Sequence, residues 1–180
     1  MQFVRVIPTL LVDDGDLYKT TKFRKPQYVG DPINAIRIFN TKEVDELILL
    51  DITATEQGKS PDVGLIRDVA SECFMPLAYG GGISSLQQIE TILKLGVEKV
   101  ILNQATLSNP QLLREAANAF GSQAIVASID VKNRLFGRHD VVSFRGSKSA
   151  KLDPLEHAQK VAEWGAGEIF LMAVDREGTM

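Results

Sequence analysis

The segment Glu46-Leu47-Ile48-Leu49-Leu50 recurs 122 positions later as Glu168-Ile169-Phe170-Leu171-Met172. Each copy is a short apolar run entered by a glutamate, a pattern typical of a buried parallel strand. The dipeptide Asp31-Pro32 recurs at the same offset as Asp153-Pro154. The sequence therefore indicates two copies of one half, with a boundary near residue 122.

Helix starts punctuate the chain at regular intervals. Four of them share a capping residue followed by proline, in which a side-chain oxygen satisfies an orphan amide and proline occupies the first helical position. A further helix over 86–95 is expected after Ser84 or Ser85. The four proline-containing starts are Asp31-Pro32, Ser60-Pro61, Asn109-Pro110 and Asp153-Pro154.

Short apolar runs lie between these helices. Their lengths and near-continuous apolar character predict parallel strands covered on both faces. The predicted strands are 3–11, 46–51, 76–79, 99–102, 124–130 and 168–174. Residues 133–148, with Phe136-Gly137 and Val141-Val142-Ser143-Phe144, are predicted to form a hairpin after the fifth strand.

This alternation predicts the α/β class and, more narrowly, a (βα)8 TIM barrel with a two-fold internal repeat. A complete barrel has about 250 residues, so the sequence accounts for about six of eight units. An open six-stranded sheet would leave two unpaired edges. We therefore expect residues 1–180 to form one (βα)-barrel domain that is truncated at its C-terminal end or completed by a partner.

Bulk composition excludes several classes of protein. A net charge of -3 and a pI near 5.4 argue against binding to nucleic acid or an anionic membrane. The N-terminal apolar run is interrupted by Arg5 and Pro8, which excludes a membrane span or signal peptide there. Cys73 is the single cysteine, so no internal disulfide can form and a reducing cytoplasmic setting is expected.

Carboxylates follow three of the predicted strands, at Asp51, Asp130 and Asp175. In a barrel these strand ends converge, and a carboxylate there can act as a general acid or base. Each could instead be a helix cap or loop contact. The run that ends at Leu11 aligns with the run that ends at Asp130, so one copy of the repeat lacks the carboxylate.

Glycines after the third strand suggest a phosphate site. The amides of Gly81 and Gly82 could approach a phosphate without interference from side chains. Asn103 follows the next strand and could supply a side-chain amide to the same phosphate. A tight turn and an ordinary turn residue are the structural alternatives.

Charged residues mark the opposite ends of four strands, at Arg5, Glu46, Lys99 and Glu168. If they point inward, they could form a closed ring of ion pairs. If they are solvated, they are ordinary charges at strand entrances and contribute little to stability. Residue spacing alone favours the second interpretation.

Over its whole length the chain resembles the cyclase subunit of imidazole glycerol phosphate synthase, a lyase of histidine biosynthesis that works within a glutamine amidotransferase complex. The segments that carry the resemblance are Arg5-Val6-Ile7, Asp14-Gly15, Gly30-Asp31-Pro32, Asp45-Glu46-Leu47, Leu50-Asp51-Ile52-Thr53-Ala54, Gly80-Gly81-Gly82-Ile83, Phe120-Gly121-Ser122-Gln123, Gly165-Ala166-Gly167-Glu168-Ile169 and Asp175-Arg176.

The resemblance implies a glutaminase docked at the bottom of the barrel and an ammonia channel through its interior. Arg5, Glu46, Lys99 and Glu168 match the family's charged gate, which reverses the interpretation from spacing alone.

The family also closes its first and fifth strands with catalytic aspartates. Asp130 matches the second, whereas Leu11 occupies the place of the first. Loss of one proton carrier is expected to cost ~10²- to 10⁴-fold in rate.

The remaining matches concern substrate. The resemblance implies a phosphorylated or nucleotide-linked small molecule bound by Lys19, Asp51, Gly81, Gly82, Asn103 and Asp175. Gln104 and Glu177 depart from the family pattern, so phosphate handling is expected to differ. We expect no metal and no cofactor.

The chain resembles one branch of this family more fully, because the resemblance there extends to Ile7-Pro8-Thr9-Leu10-Leu11 and Lys19-Thr20-Thr21-Lys22-Phe23. Its members are associated with surface-polysaccharide (lipopolysaccharide) synthesis, in which a glutaminase and a separate amidotransferase convert an acetamido sugar into an acetamidino sugar. The resemblance thus favours an ammonia-conducting barrel. The alternatives are a true cyclase in which Asp13 or Asp14 replaces the missing carboxylate, and a non-catalytic assembly partner.

Overall fold

The computed structural model describes residues 4–134, 138–143 and 146–179 and confirms the α/β class. The strands are β1 (Thr9–Asp13), β2 (Asp16–Thr21), β3 (Arg24–Gly30), β4 (Leu47–Asp51), β5 (Leu77–Gly80), β6 (Lys99–Leu102), β7 (Ile125–Asn133), β8 (His139–Ser143), β9 (Lys148–Ser149) and β10 (Glu168–Ala173). The helices are α1 (Pro32–Lys42), α2 (Ala54–Gln57), α3 (Val63–Glu72), α4 (Leu86–Lys94), α5 (Gln104–Ser108), α6 (Pro110–Phe120) and α7 (Pro154–Glu163). No helix within these ranges is long and apolar enough to cross a membrane.

The chain divides into two compact units. The first unit comprises Met1–Tyr18, Tyr28–Ile83 and Gln87–Val100. The second comprises Lys19–Gln27, Ser84–Leu86 and Ile101–Met180. The two copies of the repeat form the same helix–strand pair, α1 with β4 in the first unit and α7 with β10 in the second.

Parallel strands form the centre of the first unit. β4 pairs with β1 on one side and with β5 on the other. The register aligns Leu11 with Leu50, and Leu50 with Gly80. Side chains alternate between the two faces of a strand, so Leu47 and Leu49 lie on the face of β4 opposite to Leu50. Both are fully buried.

β1 continues into β2 through a tight hairpin at Asp14-Gly15. Both turn residues have positive φ, 50° and 88°. That is the backbone a two-residue hairpin turn requires, and Asp-Gly is a strong sequence signal for it. The apolar runs in the sequence predict buried parallel strands, and the residues of this exposed hairpin form no such run. We therefore did not predict it.

β7 is the centre of the second unit. It pairs in parallel with β10 and in antiparallel with β8, which in turn pairs with β9. The predicted hairpin is therefore present, with β7 extended to Asn133 as its first strand. Phe136, Gly137 and Phe144, which we included in that hairpin, lie outside the described residues.

Helix starts were predicted well with two exceptions. Asp31 and Asp153 cap α1 and α7 through their side chains, and α4 begins directly after Ser85. The start at Ser60-Pro61 was wrong, because Asp62 Oδ1 accepts the Leu65 amide and α3 begins at Val63. Asn109 precedes α6 as expected but forms no side-chain cap bond.

The first strand begins later than predicted. Thr9 is the first paired residue, whereas the Val6 amide donates to Asp45 Oδ2 over 2.6 Å outside the sheet. Pro8 has no amide hydrogen to contribute to a ladder, although its carbonyl accepts the Ile48 amide at 2.9 Å. The paired residues of β1 and β4 thus begin at Thr9, immediately after the proline.

The two caps Asp153 and Asn109 form a matched pair for a stability test. Asp153 Oδ1 accepts the amides of Leu155 and Glu156 at 2.8 and 3.1 Å. Asp153→Ala is expected to lower the free energy of unfolding by about 1 kcal/mol, as measured by urea denaturation. Asn109→Ala, which removes no cap bond, is the control; an equal loss there would contradict the assignment.

Candidate functional site

A buried carboxylate joins two cations at the strand starts of the first unit. Glu46 lies just before β4 and is 3% exposed. Its Oε2 atom lies 3.0 Å from Arg5 Nη1 and 2.8 Å from Lys99 Nζ. The Lys99 side chain is itself 12% exposed, so this pair lies largely out of water. Sharing one oxygen between two cations compensates for the desolvation of the carboxylate.

This arrangement decides between our two interpretations of the strand-start charges for three of the four residues. Arg5, Glu46 and Lys99 form a connected ion-pair group, not separate solvated charges. Glu168 begins β10 in the second unit, opposite Val126 of β7. A closed ring of all four remains a prediction.

Leu11 lies near the end of β1 in an apolar setting. It is partly buried and pairs in register with Leu50 and, across the hairpin, with Tyr18. No atom of its side chain can carry a proton or accept a hydrogen bond. The repeat partner of Asp130 is therefore a side chain without an ionisable group.

Asp13 is the nearest carboxylate along the same strand face as Leu11. Its Oδ1 atom accepts a hydrogen bond from Thr53 Oγ1 at 2.8 Å. Asp14, by contrast, lies in the hairpin turn with a side chain that is 92% exposed and 3.9 Å from Lys59 Nζ. Of the two candidates that could replace the missing carboxylate, Asp13 is the one held at the strand end.

Asp51 organises the loop after β4. Its Oδ1 atom accepts the amides of Thr53 and Ala54 at 3.0 and 2.8 Å and lies 3.3 Å from Thr53 Oγ1. These bonds fix the start of the short helix α2. Thr53 therefore links Asp51 to Asp13, a role that sequence analysis missed although Thr53 lies only two residues after the strand-end aspartate.

Close backbone packing requires glycine at positions 81 and 82. A Cβ atom on Gly81 would lie 2.5 Å from the Asp51 carbonyl oxygen, and one on Gly82 would lie 2.6 Å from the Lys59 carbonyl oxygen. Both residues also have positive φ. The Gly82 amide donates to Thr55 Oγ1 at 3.1 Å, so an anion bound by this amide would displace that hydroxyl.

In the second unit, Asp130 and Asn103 come together. Asp130 lies on β7 between Met172 of β10 and Val142 of β8. Burial raises its pKa to about 6, and a hydrogen bond from the Asn103 side chain opposes that shift. Such a carboxyl group exchanges protons near neutral pH, as a general acid or base must.

Asn103 contributes to this site because it does not cap a helix. It precedes α5 but forms no side-chain cap bond there. Its Nδ2 atom instead donates to Ser128 Oγ at 3.2 Å. Ser128 shares a face of β7 with Asp130 and is buried. Sequence analysis missed Ser128, although its spacing of two residues from Asp130 is a usable signal.

Two further predicted residues lie elsewhere in the second unit. Asp175 follows β10 and accepts the Asn133 amide at 2.7 Å, which fastens the end of β7. Lys19 is exposed on β2. In the described ranges, no three His, Cys, Asp or Glu side chains are grouped to hold a metal ion.

These features define an α/β protein with an ion-pair group at strand starts and a buried carboxyl group of raised pKa within β7. The family model described as histidine biosynthesis protein matches residues 5–180. The chain belongs to this family, and more closely to its imidazole glycerol phosphate synthase cyclase-subunit group.

Curated relatives support the narrower assignment. A protein of Pseudomonas aeruginosa is 56% identical over 174 residues, which cover 97% of this chain and 69% of that protein. A protein of Vibrio vulnificus is 50% identical over 177 residues, covering 98% and 68%. One from Leptospira interrogans is 48% identical over 177 residues, covering 98% and 70%. All three are provisionally named as subunits of imidazole glycerol phosphate synthase. The first two have the designations hisF2 and hisF3.

The raised pKa of Asp130 predicts a pH-dependent stability. The folded protein binds this proton more tightly than the unfolded chain, in which the pKa is near 3.8. The resulting stabilisation is complete below that value and is lost as pH rises through about 6. At about pH 8, Asp130→Asn is therefore expected to be more stable than the wild type, with a free energy of unfolding roughly 1–3 kcal/mol higher.

Chemical denaturation at about pH 4 and about pH 8 measures this difference, which should nearly vanish at the lower pH. Carbon NMR of the Asp130 carboxyl group gives the pKa directly. A midpoint near the ordinary value of 3.8 would contradict the burial argument.

Proposed function

We propose that this chain is an ammonia-conducting subunit that works with a glutaminase and supplies nitrogen for amidination of a surface-polysaccharide sugar. The observation that carries the proposal is Leu11, an inert side chain at the strand end where the family places a catalytic carboxylate. The channel function needs no proton carrier at that position, whereas the cyclase function does.

The strand-start ion pairs support the conducting role. In our proposal, Arg5, Glu46, Lys99 and Glu168 form the gate through which ammonia enters, and the glutaminase docks around it. The contacts among the first three residues hold their charged groups together at the strand starts, where the proposal places the gate. A separate amidotransferase would carry out the transfer to the acetamido sugar.

At the other strand ends, the proposal keeps a ligand site without full cyclase chemistry. Asp130 and Asn103 retain a polar contact, and Lys19, Asp51, Gly81, Gly82 and Asp175 are proposed to surround a phosphorylated or nucleotide-linked small molecule. The free thiol of Cys73 is compatible with our proposal of a reducing cytoplasmic setting.

A second candidate is a true cyclase of histidine biosynthesis in which Asp13 replaces the missing carboxylate. It is favoured by one observation: Asp13 follows Leu11 by two residues and is fixed at the strand end by the Thr53 hydroxyl group. The two candidates differ in whether ammonia is consumed by this chain or passed on.

Cyclase assays separate the candidates. We expect the full-length protein, given ammonium salt and the nucleotide substrate of the histidine pathway, to show no turnover above that of Asp130→Asn. Robust turnover that Asp13→Asn abolishes would overturn the proposal and establish the second candidate.

Leu11→Asp tests whether the rest of the cyclase site survives. Because Asp130 and Asn103 remain in contact, we expect the restored carboxylate to bring cyclase turnover ~10²- to 10⁴-fold above the background shown by Asp130→Asn. Leu11→Asn has nearly the same size as the aspartate but carries no titrating proton, and it should give no such gain. Equal gains from both variants would show that polarity alone was missing.

The gate is tested by the source of nitrogen. With the glutaminase, the amidotransferase and an acetamido sugar present, Lys99→Met is expected to lower product formation from glutamine and leave product formation from added ammonium unchanged. The reason is that Glu46 then loses its more buried cation. Lys94→Met, which removes an exposed pair with Glu90, is the control. An equal loss with both nitrogen sources would contradict a gating role.

A further inference from the structure

The turn between β2 and β3 has a backbone that its sequence does not favour. Lys22 and Phe23 form a two-residue connection, and their φ angles are 54° and 59°. Such left-handed conformations are easy for glycine, asparagine and aspartate but are strained for lysine and phenylalanine. Something outside the turn must therefore stabilise it.

The segment after β10 supplies that stabilisation through Glu177. The Glu177 carboxylate accepts the Phe23 amide on Oε2 at 2.8 Å and the Thr20 hydroxyl on Oε1 at 2.7 Å. The backbone carbonyl of Glu177 accepts the Lys22 amide at 2.9 Å. Both amides of the strained turn are thus bonded to one residue, more than 150 positions away in sequence.

The approach of the two segments is close as well as polar. A Cβ atom on Gly178 would collide with the Thr20 carbonyl oxygen, and Gly178 has a positive φ of 62°. Thr20 is 5% exposed, so its hydroxyl depends on Glu177 for a hydrogen bond away from solvent. Glycine at 178 allows the backbone to reach the hairpin.

Lys19 adjoins this contact. Successive strand side chains point to opposite faces, so the bond that holds Thr20 against Glu177 also determines the face on which Lys19 emerges. Lys19 itself is exposed, and its neighbours Thr20 and Phe23 make the hydrogen bonds that hold this end of the hairpin. Glu177 therefore restrains the position of Lys19 through the turn and not through a direct contact.

We propose that Glu177 is a positioning residue that latches the β2–β3 turn to the end of β10 and thereby sets the position of Lys19. The importance of Lys19 for ligand rests on the proposed function; the latch does not. While latched, the Glu177 carboxylate is used by the hairpin, so it is not available to a bound phosphorylated molecule, which it would in any case repel.

Amide hydrogen exchange in the full-length protein tests the latch. Glu177→Ala removes both carboxylate bonds and is expected to speed exchange at Phe23 by roughly tenfold or more. Exchange at Ile129, in the core of β7, reports on global unfolding, so the acceleration at Phe23 is expected to exceed that at Ile129. Glu177→Gln retains an acceptor for Phe23 and a donor for Thr20, so it should restore most of the protection.

Lys19 is observed separately by reductive methylation with labelled formaldehyde, with its NMR signal assigned from Lys19→Arg. In the wild type and in Glu177→Gln, the Lys19 signal should differ in chemical shift from the signals of freely moving lysines. In Glu177→Ala, the Lys19 signal should move to the chemical shift of the freely moving lysines. Unchanged exchange at Phe23, or an unchanged Lys19 signal, in Glu177→Ala would overturn the proposal.

Thr20→Val gives a graded comparison, because it removes one of the two carboxylate bonds and preserves side-chain shape. We expect its effect on Phe23 exchange to be smaller than that of Glu177→Ala. None of these measurements uses a ligand, a glutaminase or an acceptor sugar. Failure of the proposed function would leave them intact, and failure of the latch would leave the cyclase and nitrogen-source assays intact.

Discussion

The burial of β4 and β5 on both faces is the constraint on which the features of the first unit depend. A strand buried on both faces tolerates apolar residues along its length and polar residues only where it begins or ends. β4 follows this rule, with buried Glu46 just before it, Leu47 and Leu49 within it and Asp51 closing it. In β4, polar chemistry is therefore concentrated at the two strand ends, because the apolar residues between them are buried.

Two carboxylates show how different surroundings produce different behaviour from the same functional group. Glu46 is surrounded by cations, so its negative charge is compensated where water is largely excluded. Asp130 is bonded by a neutral amide, and burial raises its pKa to about 6. The first residue is held in an ion-pair group, whereas the second is suited to exchange a proton.

Much of the fold could be predicted from sequence because local rules and the apolar pattern agree. Asp31 and Asp153 cap helices as their Asp-Pro sequence indicates, and the apolar runs become β4, β5, β6, β7 and β10. The Lys22-Phe23 turn could not be predicted, since its stabilisation comes from a residue distant in sequence. The contact of Asn103 with Ser128 likewise depends on tertiary packing, whereas local sequence favours a helix cap.

Gly81 and Gly82 have a consequence for how this protein can be re-engineered. Their missing side chains let the loop after β5 lie directly on the Asp51 backbone and on the Lys59 carbonyl of the loop after β4. The two loops therefore share one surface, and a change in the length of either alone would break the fit of both. A graft that replaces one of these loops must therefore exchange both together.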